Sequence, residues 1–159
     1  MPPTRPRNCL PAAVMLSSAL ALAAPAAAQT PADEVADWMK RADIARGEKI
    51  YAQSCAACHG VNLEGQENWQ TPNADGVYPA PPHDKNGHTW HHPDQVLFAI
   101  TEMGGGPYLA AQGVTDFKSG MPAFLEPLGK QGIADVLAYI QSTWPERERA
   151  IQASRTNQQ

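Results

Sequence analysis

Basic residues are in short supply. Lys and Arg number 12 against 16 Asp and Glu in a chain of 159 residues, for a formal net charge of −4. Two of the 12, Arg5 and Arg7, sit in an N-terminal stretch with the marks of a removable signal, and without them the balance falls to about −6. Such a balance argues against nucleic acid or an anionic membrane surface as a partner. Cysteine is scarce as well, at three residues, so at most one disulfide could form once Cys9 is lost with the signal. Internal repeats are missing, which excludes a solenoid or propeller, and no stretch alternates as a half-buried strand would. The longest apolar run, Leu10 to Ala24, is broken by Pro11 and falls short of the ~20 residues needed to span a bilayer.

That run has a different meaning. Arg5 and Arg7 precede it and Ala26-Ala27-Ala28 follow it, the three-part layout of a secretory signal. Cleavage after Ala28 is expected, with a periplasmic product and no membrane span; retention of residues 1–28 as an anchor is the alternative. Cys9 lies ahead of the apolar run, not at the cleavage site where a lipid-modified cysteine belongs. The remaining 131 residues suffice for one small domain.

Helical signals dominate that domain. From Glu34 to about Ala56 there is no proline, acids stand near the start, and Ile44, Gly47 and Tyr51 share a face, predicting one helix that runs into Cys55. Residues 60–92 carry four prolines and four glycines and predict loops with one short helical turn. Pro93-Asp94 opens a second helix through Val96, Leu97 and Ile100, closed by Gly104-Gly105-Gly106-Pro107. Ile133, Val136, Leu137 and Ile140 mark an amphipathic helix that stops before Pro145. The polar tail at 146–159 is expected to be mobile. So little regular structure in so short a chain calls for something at its centre.

Cys55-Ala56-Ala57-Cys58-His59 supplies it. Two thiols one helical turn apart can add to the two vinyl groups of a haem, and the adjacent imidazole can reach the iron. Three other readings compete. A redox dithiol belongs at the start of a helix after a strand, whereas this motif follows a helix. Structural zinc needs a fourth ligand and favours paired cysteines at both ends. A disulfide across two residues is strained.

Gly47 and Tyr51 before CAACHG, SGMPAF at 119–124 and VLAYIQSTWP at 136–145 resemble, in order and over nearly all of the exported chain, the class I c-type cytochromes. The resemblance implies an all-α fold in which N- and C-terminal helices cross and long loops wrap one covalently bound haem c. Gly47 would permit the close approach, with Tyr51 and Tyr139 near the crossing. It implies a mono-haem domain over 29–145 bound through Cys55 and Cys58, with iron ligated by His59. Of the candidates for the sixth position (Met39, Met103, Met121 and the clustered histidines), Met121 lies in a Gly-and-Pro loop beside Pro122, where the family carries its axial methionine. Met39 and Met103 are expected to fill core space. A backbone carbonyl at Pro81 or a neighbour would accept the His59 N–H.

An iron closed on both sides leaves no place for substrate, so the expected role is single-electron transfer, without catalytic residues. Redox proteins such as an oxidase, reductase or dehydrogenase would be the partners of a monomer. Four of five histidines crowd into HDKNGHTWHHPD at 83–94. One reading makes this a pocket wall: Trp90, a donor only, with His88 or His91, grips a haem propionate. In that reading His92 starts a helix and His83 is solvent-exposed. The other places a copper ion on His88, His91 and His92 within the His83–His92 cluster, for copper handling or oxidation.

Overall fold

Thr30 begins the first helix of the computed structural model, which describes residues 29–158 together with Met1. The signal expected over 1–28, Cys9 included, lies outside the described residues apart from Met1. Helix α1 (Pro31–Lys40) starts with a capping box: Thr30 Oγ1 accepts from the Asp33 N–H, and the Asp33 carboxylate accepts from the Thr30 N–H. Val35, Trp38 and Met39 turn one face of α1 to the core.

The single helix expected from Glu34 to about Ala56 is interrupted after Lys40. Asp43 starts a new helix, α2 (Ile44–Ile50), by accepting from the Arg46 N–H at 3.1 Å. Its own N–H is drawn off to the Asp135 carboxylate at 2.9 Å, so it cannot continue the ladder of α1. An Asp cap contributes about 1 kcal/mol, enough to set a boundary that no proline or glycine announces. The chain then passes through a π-helical turn (Tyr51–Cys55) into α3 (Ala56–His59), which ends at Gly60.

Residues 60–92 are loop with one 3-10 turn at Thr89–His91, as expected, and one unexpected two-residue strand at Val77–Tyr78. Helix α4 (Asp94–Met103) begins where proline and aspartate predict. The glycines that close it do not stay in a loop, because Gly105–Ala111 forms a further helix, α5. Helix α6 (Leu125–Ser142) is interrupted at Gly129 and then runs straight through the core. The two short strands, β1 (Val77–Tyr78) and β2 (Lys118–Ser119), pair in parallel over two residues. The fold is otherwise all-α, and no described helix is long and apolar enough to cross a membrane.

The core forms where α2 crosses α6. Ile133, Val136, Leu137 and Ile140 of α6 are buried in one cluster with Tyr51, Leu97, Phe98 and Trp144, each aliphatic contributing roughly 1.5–3 kcal/mol by leaving water. A Cβ placed on Gly47 would fall 2.0 Å from the Asp135 carbonyl oxygen and 3.0 Å from Tyr139 Cβ. Asp135 completes the crossing: its fully buried carboxylate accepts from the Arg46 guanidinium, the Asp43 N–H and, at 3.1 Å, the Gln131 amide. Tyr51 and Tyr139 lie 5.6 Å apart beside it.

The tail expected to be mobile is instead a helix, α7 (Glu146–Thr156). Gln152 is buried and its amide donates to the Asp94 carboxylate at 2.6 Å, while the Asp94 N–H donates to Thr156 Oγ1 at 3.0 Å. Its sequence is polar because it docks through hydrogen bonds.

Two outcomes follow from the crossing. Gly47→Ala must push the helices apart, and urea unfolding is expected to register a loss of ~3 kcal/mol. Burial alone would raise the Asp135 pKa, but the Arg46, Asp43 and Gln131 hydrogen bonds outweigh it and hold the carboxyl below its ordinary 3.8. A lowered folded pKa gives a contribution that is complete above the unfolded value and lost as pH falls through the folded one. Urea midpoints should therefore drop as pH falls below about 4. In Asp135→Asn, less stable at neutral pH by ~2 kcal/mol, that drop should be smaller.

Candidate functional site

Tyr51, one turn beyond Gly47, anchors the motif that follows it. Its hydroxyl is buried and donates to the Gly60 carbonyl at 2.8 Å, which fixes the end of α3. His59, 8 % exposed, donates from Nδ1 to the Pro81 carbonyl at 2.9 Å. That bond selects the tautomer whose lone pair sits on Nε2. Burial lowers the His59 pKa and the Pro81 bond opposes it only in part, so the ring is a neutral imidazole, the form that binds metal.

The two cysteines are free thiols, Cys55 half-buried and Cys58 exposed. Burial first, and then the neighbouring Cys58, pushes the Cys55 thiol up to about 11. A redox dithiol requires the opposite shift. Two thiols on adjoining helical turns, Cys55 at the end of the π-helical turn and Cys58 in α3, next to an imidazole whose Nε2 carries the lone pair, are the set that covalent haem needs, so these residues fit the group.

On the second loop, Met121 is half-buried and its main chain is held at both ends. Its N–H donates to Ser119 Oγ at 3.2 Å, and its carbonyl accepts from the Gly105 N–H at 3.0 Å. Sequence reasoning took Gly104 and Gly105 only as a helix stop, and their larger task is contact. Gly104 has φ +83°, and a Cβ on it would meet Ala123 N at 2.8 Å; one on Gly105 would meet Ser119 Oγ at 2.0 Å. The run of three glycines beside a Met-Pro loop was the available signal. Met39 packs on the core, whereas Met103 is exposed rather than buried.

The two loops are tied together. Val77 pairs with Lys118 and Tyr78 with Ser119, and the Tyr78 and Phe117 rings stack at 4.1 Å. The polar stretch 67–78 thus bridges the chain after His59 to the chain before Met121.

The histidine cluster divides into three parts. His83, expected to be exposed, is half-buried and stacked on His59 with ring centroids 4.0 Å apart. Burial, then His59 and His88, holds its pKa well below the ordinary range. His88 lies on Trp69 at 5.2 Å and meets the edge of His92 at 5.4 Å. His91 is exposed and stacks on Trp90 at 3.7 Å, while the Trp90 N–H donates to the Lys85 carbonyl at 3.3 Å. Among the described residues, no group of three or more His, Cys, Asp or Glu is arranged to hold a metal ion. Trp144, quoted in the sequence only as part of VLAYIQSTWP, is buried and donates from Nε1 to the His83 carbonyl at 2.7 Å.

A family model described as Cytochrome c matches residues 44–144. No curated protein and no solved structure matches the chain significantly. The matched span opens on the first residue of α2 and closes on Trp144, leaving α1 and α7 outside it.

Proposed function

The chain belongs to the cytochrome c family, and we propose that it is an exported carrier of single electrons whose one haem is held by Cys55 and Cys58 and ligated by His59 and Met121. The family carries covalently bound haem c and is generally an electron carrier rather than an enzyme. When bound, the haem supplies a one-electron iron couple. The observation that carries the reading for this chain is the bond from His59 Nδ1–H, at the end of the CAACH segment, to the Pro81 carbonyl 22 residues on.

Each residue has a separate task in this reading. Cys55 and Cys58 form the two thioether links. Pro81 draws on the His59 N–H, which orients the ring and makes Nε2 a stronger donor. Met121 brings a soft thioether that favours the reduced iron and raises the potential relative to a second histidine. Trp90, with His88 or His91, meets a propionate, the indole leaving the Lys85 carbonyl to do so. Family membership and the Arg5-to-Ala28 pattern support export, hence a periplasmic location after cleavage. The acidic surface steers encounter with a basic face on a redox partner. Copper on His88, His91 and His92 is the weaker reading, since His91 stacks on Trp90 while His88 and His92 meet each other.

Two measurements test the proposal. Intact mass and an absorption spectrum of the exported protein are expected to give one added haem, loss of 28 residues, paired ferrous bands and the long-wavelength band of Met-ligated ferric haem. A mass without haem overturns it. Met121→Ala should abolish the long-wavelength band and let added imidazole or cyanide bind. Gly105→Val, whose side chain would strike Ser119, should weaken the same band while the haem stays attached; an unchanged band would show that Gly105 does not hold the ligand loop.

A further inference from the structure

His83 occupies a position that pocket lining alone does not explain. Its ring lies on that of His59 with centroids 4.0 Å apart and planes 23° apart, and the Tyr51 ring meets its edge at 6.4 Å. Its main chain is held on both sides, the N–H donating to the Leu63 carbonyl at 2.8 Å and the carbonyl accepting from Trp144 Nε1 at 2.7 Å. Its side chain is held as well. Thr89, buried, donates its hydroxyl to the Pro82 carbonyl at 3.4 Å, so its oxygen accepts from His83 Nδ1–H at 2.8 Å.

This anchoring bears on what fixes His59. A single hydrogen bond from Nδ1 to Pro81 defines one point of the imidazole and leaves the ring free to rock about the N–H···O direction. A flat neighbour against the face removes that freedom, provided that the neighbour itself cannot turn. His83 meets the condition because Thr89 pins its Nδ1 and two hydrogen bonds pin its backbone. An aliphatic side chain would exclude water here but would present no plane.

We infer that His83 is a positioning residue that sets the plane of the His59 imidazole, and through it the electronic structure of the iron that His59 ligates. The inference rests on the haem reading proposed above. Orientation of a ligand ring is one of the means by which groups around a site tune a metal they never touch. Pro81 fixes where the His59 ring is held and His83 fixes how it is turned. Thr89 is the third member, acting on His83.

Low-temperature electron paramagnetic resonance of the ferric holoprotein reads the ligand plane directly, with the equilibrium reduction potential as a second readout. Wild type, His83→Phe, His83→Ala and Thr89→Val are compared. The wild type is expected to show a single low-spin species with narrow lines. His83→Ala should shift and broaden its g-values or add a second low-spin species, with a lowered potential as water reaches His59. His83→Phe, which keeps a flat face, should restore the wild-type spectrum. Thr89→Val, which keeps the shape and loses the anchor, should move the g-values in the same sense as His83→Ala by a smaller amount. Wild-type g-values and potential in His83→Ala overturn the inference, as does a Phe variant that fails to restore what Ala changes. If His83→Ala does not accumulate with haem attached, Thr89→Val decides: shifted g-values support the inference and unchanged ones overturn it. A wild-type protein without any low-spin signal would instead overturn the haem reading.

Discussion

The backbone contact at Gly47 is the constraint on which the rest of the molecule depends. With no room for a Cβ between this residue and the Asp135 carbonyl, α2 and α6 approach more closely than any residue other than glycine would allow here. Two lines of contact lead from there to His59. Along α2, one turn further, Tyr51 reaches the Gly60 carbonyl and sets the end of the helix that carries Cys58 and His59. Just past the end of α6, five residues beyond Tyr139, the buried indole of Trp144 reaches the His83 carbonyl, and His83 lies on the His59 ring. A helix crossing therefore sets the imidazole from two directions. The buried Asp135 carboxylate adds a charge-assisted lock, tying the start of α2 to the middle of α6 through Arg46 and Asp43.

Hydrophobic burial holds the helices but does not place the second loop. Residues 104–124 have few buried side chains, and their positions come from main-chain contacts: Gly105 to Met121, Phe124 to Thr101, and the two-residue pairing of β1 with β2. Such contacts are short-ranged and directional, so they hold geometry better than they add stability. A loop placed by backbone bonds can keep a thioether in one position without a core around it. Tyr78 stacked on Phe117 shields one side of that arrangement.

The sequence was most legible where a chemical requirement forces a local pattern. CAACH, the 3.6-residue period from Ile133 to Ile140, the Pro93-Asp94 helix start and the Pro-rich segment that holds Pro81 are all of this kind, and the folded chain has each where the pattern put it. It was least legible where a distant partner decides. The break between α1 and α2 depends on Asp135, 92 residues beyond Asp43, taking an N–H that a continuous helix would use. His83 was misjudged because its neighbours supplied only a polar context, while the ring that covers it comes from residue 59. The glycines at 104 and 105 are an intermediate case: their composition was plain, but the surface they approach was not.

The C-terminal helix carries the same lesson into the part of the chain beyond the family match. Polar composition suggested mobility, on the premise that docking requires apolar burial. Helix α4 begins with Pro93 at its cap, a residue without a side-chain acceptor, so the Asp94 N–H needs an oxygen from elsewhere. Thr156 supplies it from α7, and Gln152 bridges the Asp94 carboxylate and the Thr156 hydroxyl, with Gln141 of α6 donating to the same carboxylate at 2.7 Å. A polar helix is therefore the right complement to a helix start left uncapped by proline. It packs on the turn at Thr89–His91 and donates from Gln152 to the His92 carbonyl, so the histidine-rich segment is supported by an element that lies outside the matched span.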